Sequence, residues 1–176
     1  FNTFYLNEQI QNFIKSKNFL VDIQIIKESK EILNTGGGIL NMSHHFEEND
    51  FLILNPDTIW NEKYINEIDK MQNLYFSNKL SNILLVVKKE LSFDQNLTGD
   101  FELNKNSLNK SGFKNFIYTG CQILNKNLFE NYKIENFSIS EVWDKLLEKN
   151  ELHGFESSNK FYHLTNLEVF KKLKDL

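Results

Sequence analysis

Two features of the sequence combine the residue types and the placing of a ligand site. One is the run Asn34-Thr35-Gly36-Gly37-Gly38, the other the carboxylate Asp57 further on. Three of the chain's seven glycines stand together at 36–38. Glycine admits positive φ and lets a ligand come close to the backbone. Backbone N–H groups at a helix start favour an anion. A flexible turn uses the same residues, so both readings stand. Asp57 follows the apolar run Phe51-Leu52-Ile53-Leu54, with Asn55-Pro56 between. Ligands of open α/β sheets gather beyond the carboxyl ends of strands. A carboxylate there has the chemistry to hold Mg²⁺, a hard cation that shares substrate phosphates. The plainer alternative is an Asx-turn or a helix cap.

These groups need elements to position them. Leu6, Ile10, Phe13 and Ile14 lie on one helical face, and Val21 to Ile26 alternates as a strand does. After a polar connection from Glu28 to Thr35, the glycines precede a helix expected from Ile39 to about Phe46. Phe51–Leu54 and Ile83–Val87 are continuous apolar runs, the pattern of strands covered on both faces. Tyr64, Ile65, Ile68 and Met71 mark a helix between them. Residues 92–118 read as a small antiparallel excursion, with strands at 99–103 and 113–124. A helix over 136–150, short strands at 152–156 and 160–164, and an amphipathic helix over 166–176 carrying Leu167, Phe170 and Leu173 complete the reading. Strands alternating with helices predict an α/β fold: a Rossmann-like mixed, mainly parallel sheet flanked by helices, in a single domain over 1–176.

Composition narrows the function. Of 176 residues 40% are hydrophobic and 16 are Phe, so a sizeable core is available. The net charge of −4 gives no basic stripe for a nucleic-acid backbone. The chain has neither Arg nor Ala. No apolar run reaches the ~18 residues of a membrane span, and no signal peptide is visible, so a cytoplasmic location is expected. The one cysteine, Cys121, lies in an apolar run and is expected in the core. His44 and His45 are adjacent in a helical stretch and face different ways, so they make no metal pair. His153 has no partner in sequence.

The order of the motifs carries more than any one of them. Asn34-Thr35-Gly36-Gly37-Gly38 followed by a strand ending Asn55-Pro56-Asp57 resembles the sugar-1-phosphate nucleotidyltransferase family, in particular the bacterial enzymes that make UDP-MurNAc or GDP-sugars. That family has a Thr-Gly-Gly-Gly loop over the nucleoside and a strand ending Asn-x-Asp. The stretch from Asn2 to Ile10 is similar to the family's Asn-x-x-Tyr-Leu-x-Glu-Gln-Ile segment. Gly99-Asp100-Phe101, Tyr118-Thr119-Gly120, and Phe137-Ser138-Ile139 with Trp143-Asp144 follow in family order. The closing Phe161-Tyr162-His163-Leu164-Thr165-Asn166-Leu167-Glu168 resembles Trp-x-Asp/His-Val-Gly-Thr-Pro-Glu.

The resemblance implies the nucleotide-diphospho-sugar transferase fold and transfer of an NMP from an NTP, UTP or GTP, to a sugar 1-phosphate, releasing pyrophosphate. It places Thr35, Gly36, Gly37 and Gly38 at the nucleotide and Asp57 on Mg²⁺ as the catalytic carboxylate. It puts Glu28, Asn55, Gly120, Asp144 and His163 at the substrate. His163 stands where many relatives have a second metal-binding Asp. A neutral imidazole is a poor ligand for Mg²⁺, so His163 is expected on substrate or on a bridging water. The family also opens with a Gly-rich, Arg-containing loop that cradles the triphosphate, and nothing here matches it. A missing first βα unit, and little activity of these residues without it, are therefore expected. A non-catalytic nucleotide- or sugar-binding relative is the alternative. An unrelated flavodoxin-like domain is the third reading, with the dinucleotide fingerprint G-x-G-x-x-G absent.

Overall fold

The computed structural model describes residues 1–28 and 31–174. In chain order its elements are β1 (Asn2–Thr3), α1 (Asn7–Ser16), β2 (Ile26–Lys27), α2 (Asn34–Ser43), β3 (Asp50–Leu54), α3 (Lys63–Ser77), β4 (Asn82–Lys88), β5 (Glu102–Asn104), β6 (Ser107–Asn109), β7 (Phe116–Asn125), α4 (Ile139–Glu148), β8 (Gly154–Ser157) and α5 (Leu167–Lys174). They fall into two compact units: Phe1–Asn49 with Lys126–Asp144, and Asp50–Asn125 with Lys145–Leu176. No helix among the described residues is long and apolar enough to cross a membrane.

In the first unit β1 pairs in parallel with β2, Asn2 opposite Ile26 and Thr3 opposite Lys27, with α1 between them in sequence. The helix appears where the apolar spacing predicts it, yet Ile10 and Ile14 are only half-buried and Phe13 is exposed. Polar groups fix its start: buried Asn7 donates to the Thr3 hydroxyl and accepts from Gln11. The strand expected over 21–26 contracts to Ile26–Lys27. Only those residues find a ladder partner, through Ile26 N–H to Phe1 and Glu28 N–H to Thr3.

The glycine triplet lies inside α2, not ahead of it. The helix begins at Asn34 and ends at Ser43, so the expected helix over 39–46 starts earlier and stops sooner. The Phe137 carbonyl explains the early start. It accepts from both Gly36 N–H (3.0 Å) and Gly37 N–H (3.3 Å), capping two of the donors that a first helical turn leaves without partners.

The second unit is built on a four-stranded sheet in the order β3-β7-β4-β8. Six consecutive residues of β4, Asn82 to Val87, are buried, as a two-sided strand requires. The α3 side chains Tyr64, Met71 and Tyr75 pack with Ile83, Leu85, Cys121 and Ile123. Buried Glu67 of the same helix accepts from the Ser157 and Ser158 hydroxyls and from Ser158 N–H, sewing α3 to the end of β8. β3 is the exception to the apolar-run reading. As an edge strand it leaves Leu52 and Leu54 close to half exposed, at 47% and 45%.

The mixed sheet expected from sequence is present. In the four-stranded sheet β4 pairs with β8 in parallel while β7 runs antiparallel to both β3 and β4, and the parallel pair β1–β2 is a separate sheet of the first unit. The antiparallel hairpin β5–β6 interrupts the βα alternation ahead of β7, within the expected 92–118 excursion. The helix expected over 136–150 is α4, shorter at both ends. In α5, Val169 is the buried side chain while Leu167 and Phe170 are exposed; Asp175 and Leu176 of the expected helix lie outside the described residues.

Candidate functional site

In the second unit the chain leaves β3 through Asn55-Pro56 and meets a short extended strip, residues 161–165, that is held on two sides. On one side Thr58 and His163 form an antiparallel bridge, with Ile59 N–H donating to Tyr162 (2.9 Å) and Leu164 N–H to Asp57 (2.7 Å). On the other, Ser92 bridges Phe161, Phe161 N–H donates to Leu91, Phe93 N–H to Phe161, and the Thr165 hydroxyl to Asp94. Asp94, missed by the sequence reading, is kept below the usual carboxylate range by the Asn96 N–H and then by the Thr165 hydroxyl. Tyr64 of α3 donates to the Lys160 carbonyl just before the strip.

This clamping brings together Asp57 and His163, both singled out from sequence. His163 Nδ1 stands 3.8 Å from Asp57 Oδ1. That is outside hydrogen-bond range, and both atoms are shut off from solvent with no hydrogen-bond partner. The imidazole is steadied by the Phe161 ring, stacked at 5.7 Å and 12°. Beside the pair, the Tyr118 hydroxyl end is buried. Burial, then the charges of Cys121 and Asp57, pushes that phenol well above its ordinary value, so it stays protonated.

Gly120 and Asn55 also meet in this unit. Gly120 has φ of +88°, and a Cβ there would lie 2.8 Å from Asn55 Cβ and 3.2 Å from the Thr58 hydroxyl. The glycine thus admits these two side chains, while its carbonyl accepts from Asn55 N–H. Thr58, a residue sequence reasoning passed over, is buried and donates to the Thr119 carbonyl (2.7 Å), locking β7 to the Asp57 turn. Thr119 donates in turn to the Leu85 carbonyl, at the irregularity in the β4–β7 register.

In the first unit Thr35, Gly36, Gly37 and Gly38 form the first turns of α2. A Cβ on Gly36 would run into the Phe137 ring, and one on Gly37 into the Glu135 carbonyl. Thr35 N–H bonds Asn34 Oδ1, and its hydroxyl accepts from Ile139 N–H. The glycines therefore serve the packing of the 135–139 segment, and the Gly36 and Gly37 donors are already engaged. Glu28, buried, accepts from Leu33 N–H and from the Asn2 side chain, tying β1 to the start of α2. Asp144 is exposed on α4.

The solvent-excluded oxygen of Asp57 and nitrogen of His163, each without a hydrogen-bond partner, are donor types that a divalent cation could accept. Among the described residues no group of three or more His, Cys, Asp and Glu could hold a metal, so the remaining ligands of such an ion would be substrate oxygens or water.

No protein-family model matches the chain, and no curated protein does. Solved structures do match. HddC from Yersinia pseudotuberculosis, complexed with GMP-PN, is similar at a TM-score of 0.72 and 22% identity, over 96% of this chain and 73% of that one. The inositol-1-phosphate CTP transferase from T. maritima reaches 0.72 at 13% identity, over 98% and 74%. A UDP-glucose pyrophosphorylase complexed with UDP-glucose reaches 0.65 at 16%, over 99% and 73%. The chain has the nucleotide-diphospho-sugar transferase fold. In that fold it carries a mixed sheet, an Asp just beyond strand β3 and an opposing His, all clamped by backbone hydrogen bonds.

Proposed function

We propose that the protein is a sugar-1-phosphate nucleotidyltransferase, transferring an NMP from UTP or GTP to a sugar 1-phosphate and releasing pyrophosphate. One observation carries this reading: an unpartnered, solvent-excluded carboxylate oxygen of Asp57, just beyond β3 and facing His163 Nδ1. Support also comes from the structural neighbours, one complexed with GMP-PN and another with UDP-glucose.

In the proposed reaction a phosphate oxygen of the sugar 1-phosphate attacks the α-phosphorus of the NTP in line. The new O–P bond forms as the bond to the bridging α,β oxygen breaks, and the electron pair leaves with pyrophosphate. Little covalent chemistry falls to the protein, which positions the reactants and neutralises charge. A divalent cation, Mg²⁺ by the family resemblance, would neutralise charge developing on the phosphates. Asp57 would hold it, and the strip 161–165 fixes the direction from which His163 approaches. Thr35 and Gly36–Gly38 would lie near the nucleotide, Glu28 keeping that turn in place. Asn55 and Gly120 would serve the sugar side.

The test is pyrophosphate release by the full-length protein over a panel of NTPs and sugar 1-phosphates with a divalent ion. The reading expects turnover with UTP or GTP and its loss in Asp57→Ala. Nucleotide binding with no turnover in any combination would support the non-catalytic relative instead.

A further inference from the structure

The pairing of Asp57 with His163 bears on which ion the site takes. The two facing atoms are a hard carboxylate oxygen and a borderline imidazole nitrogen, 3.8 Å apart. Neither has a hydrogen-bond partner, and neither touches solvent. Leaving both unsatisfied costs free energy, and with the imidazole proton on Nε2 an electron-pair acceptor between them satisfies both. A hydrogen bond between them is excluded by the distance. His163 is also poorly placed to turn away. The residues on either side of it are tied by Ile59 N–H to Tyr162 and Leu164 N–H to Asp57, and its ring is stacked on Phe161.

We propose that the Asp57/His163 pair selects a first-row transition-metal ion, Co²⁺ or Mn²⁺, over Mg²⁺. The inference rests on the reading of Asp57 as a cation ligand and adds the imidazole as the second. Mg²⁺ demands near-ideal octahedral oxygen coordination and gives up water reluctantly. An imidazole nitrogen adds little to its binding. Mn²⁺ and Co²⁺ accept mixed nitrogen and oxygen donors, and their affinity rises along the divalent series. Phosphate oxygens of the substrate complete the shell for either ion. The nitrogen ligand is thus the part of the site that tells the ions apart, and the clamped strip keeps it aimed at Asp57.

The experiment is a Mn²⁺ titration of the full-length protein followed by electron paramagnetic resonance, with Mg²⁺ as competitor, on wild type, His163→Asp, His163→Asn and Asp57→Asn. Thermal midpoints establish that each variant folds, and the two His163 variants serve as replacements for one another. The wild type is expected to show ¹⁴N modulation from a directly bound imidazole in electron spin-echo spectra, and both His163 variants to lose it. The preference for Mn²⁺ over Mg²⁺ should fall about tenfold in His163→Asp, where a carboxylate replaces the nitrogen. Mn²⁺ bound without ¹⁴N modulation, with an unchanged preference in His163→Asp, would overturn the selectivity. The reading of Asp57 as a ligand would then survive, provided Asp57→Asn still releases the ion. Binding unaffected by Asp57→Asn would overturn both.

Discussion

The ring of Phe137 occupies the volume that a side chain on Gly36 would need, and the Phe137 carbonyl caps Gly36 and Gly37 N–H. The triplet is in this way a packing device as well as a candidate ligand turn. Gly36→Ala forces the ring aside, and Gly37→Ala meets the Glu135 backbone, which yields less. Each should destabilise the protein by about 1–3 kcal/mol, Gly37→Ala the more severely. Urea unfolding of the two variants checks this order. Truncating the ring in a Gly36→Ala/Phe137→Ala double variant should show non-additive recovery, because the two residues touch.

Glu67 is a buried carboxylate satisfied by three donors, the Ser157 and Ser158 hydroxyls and Ser158 N–H. Glu67→Ala leaves all three without their acceptor and opens a hole between α3 and β8. A loss of about 2–4 kcal/mol is expected. Glu67→Gln retains the shape and one acceptor oxygen, so its loss should be smaller. Thermal or urea denaturation of the two variants gives the comparison.

His153 supplies a pH dependence. Burial holds its imidazole below the ordinary value of 6.5, the hydrogen bond and charge of Glu151 opposing. The folded-state value is thus the lower one, and on acidification the unfolded chain binds this proton first. The contribution is fully present above about pH 6.5 and is lost as pH falls from there through the folded-state value. Denaturation midpoints measured from about pH 8 down to about pH 5 should decline less steeply in His153→Gln than in wild type.

Cys121 is fully buried in the sheet, and burial pushes its thiol up to about 12. Almost no thiolate is present near pH 8, and thiolate is the reactive form. Thiol reagents should leave the native protein unmodified and titrate one group after denaturation. Rapid labelling of the native state would contradict the placement of this residue.

The sequence revealed most where burial is two-sided. Ile83–Val87 has no polar residue because both faces of β4 are covered, so its pattern is unambiguous. The same pattern at Phe51–Leu54 overstates burial, because an apolar run does not say whether a strand is central or at an edge. The start of α2 was illegible because its cap, Phe137, lies far along the chain, and helix propensity argues against three consecutive glycines. Asp57 and His163 were each singled out by ordered motif resemblance, but that they face one another was not read from sequence. What could not be read was the clamp: Phe161 acts through backbone bridges that any residue type can make, and the Thr58 and Asp94 side chains take partners, the Thr119 carbonyl and the Thr165 hydroxyl, that lie far along the chain. Thr58 had a faint signal, a hydroxyl directly after the candidate carboxylate; Phe161 had none beyond being apolar.

The bridge between Thr58 and His163 joins segments separated by more than half the chain. Local order cannot form it; α3, β4, β7 and β8 must first close the intervening loop. Under the proposed reading of Asp57 as a cation ligand, ion capture would be a late event in the life of the polypeptide. While a ribosome is still making residues beyond β7, the Asp57 carboxylate has no imidazole opposite it. Metal affinity measured during refolding would report completion of the second unit, and a chain cut before Phe161 would lack His163 and with it the paired site.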